Sequence, residues 1–478
     1  MPIINTQVKG GGTTPTGTKN ITANGVHDVA GYASADVNVP TTAPDYYVPM
    51  FKDSSNFLNK GTTLLNLTGI TGIEKYALSY MYAYSNISGS IDLSGIITAK
   101  ERALDYGFYY APNITEVDLK NLTTAGKYSF SNCFEGCSAL ISINLSSLTT
   151  VAERGFNRCF ISTKVSSCDL SSLTTVDSYG FSQAFNAQRY ITSINLSNLV
   201  TANQYAFVDC FNGCTNLTGA LDLSRLTTVK SNSLSGAFTS TKITSADLSG
   251  LTVINEGNSL SATFKNCTYI TSVNLSSLQK ATGSGALLNM CEGCTALTNL
   301  NIDSLEEING SWPMSKMCLG CTALTSFAFK SLKILKGNHA IEQFFQNCVN
   351  MTDVRFPALN TDSFTGGGTS QFTNMLQGVT GCTVHFPMSI QSIISSWSDV
   401  VNGFGGTNTT ILYDIVSTLD GADGNTYTRK EKDATATAMA WTYNDTLFYT
   451  LGIEPSIGDT IYSDSACTTA VTTISSIA

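Results

Sequence analysis

The stretch ITSINLSNL, residues 191–199, decides the fold, because closely similar phrases recur along the chain. The related phrases are ITEVDLKNL (114–122), ISINLSSL (141–148), VSSCDLSSL (165–173), ITSVNLSSL (270–278) and LTNLNIDSL (297–305). Self-similarity at a fixed spacing is the mark of a repeat architecture. Although the chain has 478 residues, it therefore predicts one elongated object rather than several globular domains.

An Asp or Asn occupies the same place in each phrase, and we call this position the anchor column. The anchor column runs through Asn66, Asp92, Asp118, Asn144, Asp169, Asn195, Asp222, Asp247, Asn274 and Asn301, with diverged members at Ala328, Arg355 and His385. Nearly all steps are 25–27 residues, a spacing within the leucine-rich-repeat range. We therefore predict about thirteen coils.

Each phrase alternates in the way that a half-buried strand requires. Ile194 and Leu196 fall on one side, and Ser193, Asn195 and Ser197 fall on the other. Each coil is therefore predicted to contribute one short strand.

Between the strands, apolar or small residues recur at positions i, i+4 and i+7. Phe130, Phe134 and Cys137 are one example, and this spacing is typical of one face of a two-turn helix. A strand and a helix can bury their apolar faces only by stacking on the next coil. The predicted fold class is therefore an α/β solenoid, a curved leucine-rich-repeat rod with strands on the concave side and helices on the convex side, flanked by small β segments at both ends.

The repeat resembles a known family over residues 62 to about 390. Phrases such as SNCFEGCSAL (131–140) and VDCFNGCTNL (208–217) resemble the BspA-type leucine-rich-repeat proteins of bacteria. That resemblance implies a surface adhesin that binds host or matrix macromolecules. The chain departs from secreted members in showing neither a signal peptide nor a C-terminal wall-anchoring motif.

Composition changes at both ends of the repeat, and we predict three parts. Residues 1–48 form an N-terminal β attachment or capping segment, residues 49–401 the solenoid, and residues 402–478 a C-terminal β domain. The Gly-rich stretch NGFGGTN (402–408) is interpreted as a hinge between the last two parts.

The two end segments resemble parts of phage virion proteins. The resemblance rests on GTKNITANGVHDVAGYASADVNVP (17–40) and GDTIYSDSACTTAV (458–471). It implies a tail-fibre or receptor-binding protein of the virion, attached to other virion proteins through its N-terminal segment. The alternatives are a secreted bacterial surface adhesin and a structural or decoration protein of the virion.

Composition excludes some classes of partner. Charged residues make up 13% of the chain and the net charge is -9, so no basic face is expected for nucleic acid. Continuous apolar runs stay short of about 18 residues, and the N-terminus lacks a basic region followed by an apolar one. We therefore expect a soluble protein without membrane insertion; a homo-oligomer remains open.

Cysteine spacing imitates a zinc site. Cys291-x-x-Cys294 and Cys318-x-x-Cys321 together match a four-cysteine motif. Cys291 and Cys318, however, fall in a column otherwise filled by aromatic residues such as Tyr82 and Phe264. We predict that this column is buried, which indicates buried thiols. We therefore predict no metal and no cofactor.

Catalytic signatures are also missing from the sequence. The three histidines, His27, His339 and His385, are far apart, and no G-x-S-x-G, H-E-x-x-H or P-loop motif occurs. Asp92 and Asp118 would be strand neighbours, but Asn fills the same column, so the position requires a short polar side chain rather than a titrating one. We predict a non-enzymatic protein over the remaining alternative, a glycan hydrolase acting through its C-terminal domain.

Two groups of side chains are candidates for contacting a host cell-surface glycan or protein. Short hydroxyl and amide side chains line the predicted concave face, and tyrosines crowd the early coils. The candidates are Ser142, Asn144, Ser146, Ser193, Asn195, Ser197, Ser245, Asp247, Tyr80, Tyr84, Tyr109 and Tyr110. A solvated sheet face and helix packing are the alternative interpretations of these two groups.

Overall fold

The chain is a parallel β-solenoid of about thirteen coils in a computed structural model. The structure describes residues 19–20, 37–38, 71–73, 75–76, 78–80, 82–364, 370–415, 418–423, 425–430, 438–443, 446–451, 459–463 and 470–477. The predicted leucine-rich-repeat solenoid is confirmed. The first predicted anchor, Asn66, lies outside the described residues.

The predicted strand is present in each described coil, and we call these the anchor strands. They are Ser88–Asp92, Asn113–Asp118, Ser142–Asn144, Ser167–Asp169, Ser193–Asn195, Thr218–Asp222, Lys242–Asp247, Ser272–Asn274, Asn299–Asn301, Ser326–Ala328, Asp353–Arg355 and Thr383–Pro387. Where two anchor strands pair, the anchor residue of one strand lies opposite the anchor residue of the other, as Asp92 lies opposite Asp118. Alternation also holds, since Ile143 is buried between exposed Ser142 and Asn144.

Most coils contain a second strand, of two residues, which the sequence pattern does not predict. These strands are Gly72–Ile73, Thr98–Ala99, Thr124–Ala125, Thr150–Val151, Thr175–Val176, Thr201–Ala202, Thr228–Val229, Val253–Ile254, Lys280–Ala281, Glu307–Ile308 and Ile334–Leu335. The first seven form one parallel sheet and the last four another. Because each of these strands is only two residues long, it shows no alternating pattern of apolar and polar residues by which the sequence could reveal it.

The prediction of a two-turn helix in each coil is wrong, because consecutive turns occupy these residues. We call this segment of each coil the turn arm; residues 128–137 are one example. Every fourth residue along it has a left-handed backbone, with φ of 56° at Tyr128, 53° at Asn132 and 79° at Gly136. An α-helix cannot include such residues in its interior.

Hydrogen bonding along the turn arm also differs from that of a helix. The N–H of Phe130 donates to the carbonyl of Gly155 in the next coil, whereas the N–H of Ser131 donates to Tyr128, three residues back. Successive N–H groups alternate between these two directions. The four-residue spacing of the turns places apolar side chains at i and i+4, as a helix does, so the sequence pattern did not distinguish the two structures.

Aromatic rings stack from coil to coil inside the solenoid. The ring centroid of Phe108 lies 5.1 Å from that of Tyr82 and 5.4 Å from that of Phe134. The same column continues through Phe160, Phe185, Phe211, Phe238 and Phe264. Tyr82 is 1% exposed, so the prediction that it lies in the buried aromatic column is confirmed.

Helices in the described chain are short and lie near the end of the solenoid. They are the 3-10 helices Met388–Ile390 and Gly403–Gly405 and the α-helices Gln391–Ile394 and Ser398–Val401. Phe404 is fully buried, with its ring centroid 5.5 Å from that of Phe372. The stretch interpreted as a hinge is therefore packed into the fold at Phe404.

The C-terminal region contains a closed antiparallel barrel. Its strands are Thr418–Gly421, Thr426–Lys430, Ala438–Tyr443, Thr446–Leu451, Thr460–Tyr462 and Ala470–Ile477. Tyr427, Trp441, Ile461 and Ile474 form its core. The C-terminal domain was predicted from residue 402, whereas the strand Thr410–Ile415 pairs in parallel with the anchor strand Thr383–Pro387.

At the other end, Lys19–Asn20 pairs in parallel with Val37–Asn38. The rest of the segment predicted at 1–48 lies outside the described residues.

The described residues belong to two compact units. The first takes residues up to Leu251 together with Glu256–Asn274 and Asn289–Leu297, and the second takes Thr252–Asn255, Leu275–Leu288 and the residues from Thr298 onward. Within the described part of the chain, every helix is too short or too polar to cross a membrane.

Candidate binding surface

The anchor column has a structural role at the end of each strand. In Asp169 and Asn195, one side-chain oxygen accepts a hydrogen bond from the backbone N–H two residues on, at 2.9 and 3.1 Å. The same bond is made by Asp92, Asp118, Asn144, Asp222, Asp247 and Asn301. Because this turn uses only an oxygen that Asp and Asn share, the two residues interchange along the column.

This role explains the carboxylate pair that the sequence places side by side. Asp92 and Asp118 are register partners, and each closes its own turn. The hydrogen bonds from Ser94 lower the pKa of Asp92. These acids act as acceptors in turns, which accounts for their presence without an acid/base role.

The serine and amide candidates are distributed over three different sheets. Ser142–Asn144 belongs to a three-stranded sheet, Ser193–Asn195 to a two-stranded sheet and Lys242–Asp247 to a third. The exposed members are Ser142, Asn144, Ser193 and Asn195, whereas Ser146, Ser197, Ser245 and Asp247 are half-buried. The structure therefore spreads these candidates along the solenoid rather than gathering them at one point.

Local bonds already engage several of these side chains. The Oδ1 atom of Asn144 accepts from both the N–H and the hydroxyl of Ser146, at 3.2 and 2.9 Å. Asp247 accepts from the Nδ2 atom of Asn274 at 3.0 Å as well as from its own turn. Part of the hydrogen-bonding capacity of this face is thus used in holding coils together.

The tyrosine candidates, by contrast, are brought together. Tyr80 stacks on Tyr106 with ring centroids 4.7 Å apart, and Tyr84 stacks on Tyr110 at 5.8 Å. Tyr109 meets Tyr84, Tyr106 and Tyr110 edge-on at 5.5, 5.0 and 4.7 Å. We call these five residues the tyrosine cluster; it comes from the turn arms of two adjacent coils.

Exposure within the tyrosine cluster is uneven. Tyr84 is 59% exposed and Tyr110 is 47% exposed, while Tyr80, Tyr106 and Tyr109 are half-buried. Burial, reinforced by Glu135, raises the pKa of Tyr109, so its hydroxyl stays protonated at neutral pH. The cluster therefore presents two open ring faces on a packed aromatic base.

The turn arm explains why these rings can meet. Tyr80, Tyr84, Tyr106 and Tyr110 all have left-handed backbones, and such residues recur at the same places in the next coil, which sets the rings in register. Gly136 continues the column of Tyr84 and Tyr110 with φ of 79°. A Cβ atom on Gly136 would lie 2.8 Å from Cγ of Tyr110, so the glycine leaves room for that ring.

A second column, of aromatic and arginine side chains, runs along successive turn arms and was not predicted from the sequence. The Arg102 guanidinium lies 4.3 Å from the ring centroid of Tyr128, and Arg154 lies 4.5 Å from that of Tyr179. Tyr179 in turn stacks on Tyr205 at 4.6 Å. Alignment of the turn arms by the same 25–26-residue step would have revealed this column.

Cysteines line the interior, as predicted. The thirteen described cysteines are buried and form no disulfide bond with one another. The thiol of Cys137 donates to the carbonyl of Phe108 at 3.1 Å, and that of Cys294 donates to Phe264 at 3.0 Å. Burial raises the pKa of Cys137 and Cys214 to about 12, so these thiols are unreactive as nucleophiles. Among the described residues, no His, Cys, Asp and Glu side chains gather in a group of three or more that could hold a metal.

The described histidines lie in different settings. His339 stacks on Trp312 at 5.8 Å, and its Nδ1 atom is 3.5 Å from Glu342. The Nε2 atom of His385 lies 3.0 Å from Oδ1 of Asp353. His27 lies outside the described residues.

Comparison with known proteins identifies the repeat. The model of a family described as the BspA type leucine rich repeat region (6 copies) matches residues 53–183, 103–212, 208–312 and 236–375. No curated protein matches the sequence significantly.

Two solved structures are similar at low identity. A leucine rich cell surface protein from Faecalibacterium prausnitzii shares 15% identity over 84% of this chain and 89% of its own, with a TM-score of 0.28. An internalin from Listeria monocytogenes shares 13% identity over 64% of this chain and 82% of its own, with a TM-score of 0.22. These TM-scores are low, so the assignment rests on the repeat itself.

Proposed function

Because the chain belongs to the BspA-type leucine-rich-repeat family, we propose that it is a non-enzymatic adhesion protein that contacts a host cell-surface glycan or protein through the tyrosine cluster. The observation that carries this proposal is the five contacting tyrosine rings, two of them exposed, on adjacent coils. Tyrosine combines a large rigid contact area with a polar tip, and it is enriched at binding hot spots.

We further propose that the protein works as a component of a phage virion, as a tail-fibre or receptor-binding protein. Support comes from the phrases at 17–40 and 458–471, which resemble segments of virion proteins. The N-terminal segment would then attach the chain to other virion proteins.

The family favours a second candidate, a secreted adhesin of the bacterial surface, and a virion decoration protein is the third. Mass spectrometry of purified particles against culture supernatant distinguishes a virion protein from a secreted one.

Adhesion is tested with labelled full-length protein and intact cells of candidate bacterial hosts. The double substitution Tyr84→Ser and Tyr110→Ser removes both open ring faces. We expect it to weaken saturable binding by roughly tenfold or more, as the loss of aromatic hot-spot residues does. Flow cytometry over a concentration series gives the affinity.

The matched control is Tyr190→Ser, which removes a tyrosine that is 51% exposed outside the tyrosine cluster. This control should bind like the unmodified protein. Equal binding by the double variant and the unmodified protein would show that the tyrosine cluster is not the contact surface.

A further inference from the structure

A groove lies over Ala328 on the anchor-strand face of the late coils. Its volume is about 420 Å³, within the range of small-ligand sites, roughly 300–1,000 Å³. Its walls come from Asn299–Asn301 and Asp303 on one side and from Ser326–Ala328, Lys330 and Asp353 on the other. The strand Ser326–Ala328 begins a new sheet that does not include Asn299–Asn301.

The groove lies where the anchor column first has a residue other than Asp or Asn, namely Ala328. In earlier coils the column residue carries an oxygen that closes the turn, as Asn301 does by accepting from the N–H of Asp303 at 3.1 Å. The methyl group of Ala328 has no acceptor and fills little space. The next two members, Arg355 and His385, lie in register with it and also lack the carboxylate or amide oxygen. Local rules are typically broken at functional sites, where another requirement outweighs stability.

Charged side chains around the groove occur as donor–acceptor pairs. The Nζ atom of Lys330 donates to Oδ2 of Asp303 at 2.8 Å. Asp353 accepts from the Nε atom of Arg355 at 2.9 Å, and its other oxygen lies 3.0 Å from Nε2 of His385. Three of these side chains remain reachable from solvent, with exposed fractions of 46% for Asp303, 37% for Lys330 and 28% for Asp353.

We propose that this groove binds a neutral saccharide. Each sugar hydroxyl both donates and accepts, which suits a wall where Lys330 and Asp303 offer a donor beside an acceptor. Each carboxylate at the groove is paired with a cation, so an ionic ligand would meet no uncompensated charge there, which favours a neutral ligand. Ala328, which is half-buried, also lines the groove and offers its methyl group to the C–H groups of a sugar ring.

The decisive variant is Ala328→Asn, which restores the residue typical of the column and fills the groove. The new amide can accept from the N–H of Lys330 as Asn301 does from Asp303, so the fold should be kept. Full-length protein is titrated by calorimetry with maltose, cellobiose, lactose and diacetylchitobiose, and with sialyllactose as the anionic probe. We expect at least one neutral disaccharide to bind and Ala328→Asn to weaken it by roughly tenfold or more, equivalent to about 1.4 kcal/mol.

Ser167→Asn is the matched control, because it adds an amide at an exposed anchor-strand position in another coil. It should bind the saccharide as the unmodified protein does. The proposal is overturned if none of the neutral disaccharides binds, if only sialyllactose binds, or if Ala328→Asn binds with unchanged affinity. A melting temperature for Ala328→Asn at or above that of the unmodified protein verifies that it is folded.

The groove and the tyrosine cluster share no residue. Loss of saccharide binding in Ala328→Asn with cell adhesion retained would separate the two activities, and the tyrosine double variant should show the reverse.

Discussion

Asp105 is a buried carboxylate on the turn arm beside the tyrosine cluster. It is 1% exposed and pairs with the guanidinium of Arg102, whose face lies against Tyr128. Burial outweighs that pairing and raises the pKa of Asp105 from 3.8 to about 6. One carboxylate oxygen, Oδ1, is buried without a hydrogen-bond partner, which is costly for a charged group. The arm is therefore less stable when Asp105 is ionised.

The sign of the pH effect follows from this shift. A carboxyl with a higher pKa in the folded chain binds its proton more tightly there, so its stabilising effect is present at low pH and is lost as pH rises from about 4 to about 6. We expect Asp105→Asn to remove this dependence and to alter the pH 4 to pH 7 difference in unfolding free energy by on the order of 2 kcal/mol. Denaturant unfolding at both pH values measures it. Parallel pH profiles for the two proteins would contradict the assignment.

Most of the described thiols lie on the turn arms. Side chains such as Cys137, Cys214 and Cys267 donate to a phenylalanine carbonyl of the preceding coil at 3.0–3.1 Å. A thiol suits this place because it packs like a small apolar group and still donates one weak hydrogen bond. The column thus adds a bond between coils without bringing water into the core.

Thiol accessibility tests this description of the element. The chain has 14 cysteines, of which the structure describes thirteen, all buried. We expect the native protein to react with a thiol reagent at no more than one position, that of Cys467, and to react fully after denaturation. Rapid native labelling at any of the thirteen described cysteines, located by peptide mass spectrometry, would be inconsistent with a closed core.

At the scale of the whole molecule, stability is shared between neighbouring coils. Phe185 illustrates this, since its ring centroid lies 4.8 Å from that of Phe160 and 5.2 Å from that of Phe211. Ion pairs also connect coils, as between Lys127 and Glu153 at 2.8 Å, but exposed pairs of this kind contribute little. The buried column is therefore the main connection along the repeat.

Phe185→Ala should consequently destabilise more than one coil. We expect a loss of about 3–5 kcal/mol, the usual cost of removing a buried aromatic side chain, with amide exchange rising in the coils on both sides. Phe185→Leu is the control, since it keeps much of the buried volume and should cost less. Hydrogen exchange confined to the coil of Phe185 would show that the coils are stabilised independently.

Much of the fold was predictable because the same sequence pattern recurs in many coils. Alternation around residues such as Ile194 determined the anchor strands, and the shared Asp/Asn column indicated that Asp92 and Asp118 are structural. The buried position of Cys291 and of Tyr82 also followed from alignment of the coils. Each of these conclusions needs only local periodicity, since side-chain direction follows from spacing along one strand or arm.

Other features were decided by tertiary structure alone. Turns and a helix give the same i, i+4 spacing, and only bonds such as that from Phe130 to Gly155 of the next coil distinguish them. The meeting of Tyr84 with Tyr109 and the groove over Ala328 likewise depend on how one coil stacks on the next. The sequence by itself determined the period of the coils and the residues that face inward. Contacts between coils settled the form of the turn arm and the shape of both candidate surfaces, because such contacts depend on side chains about 26 residues apart.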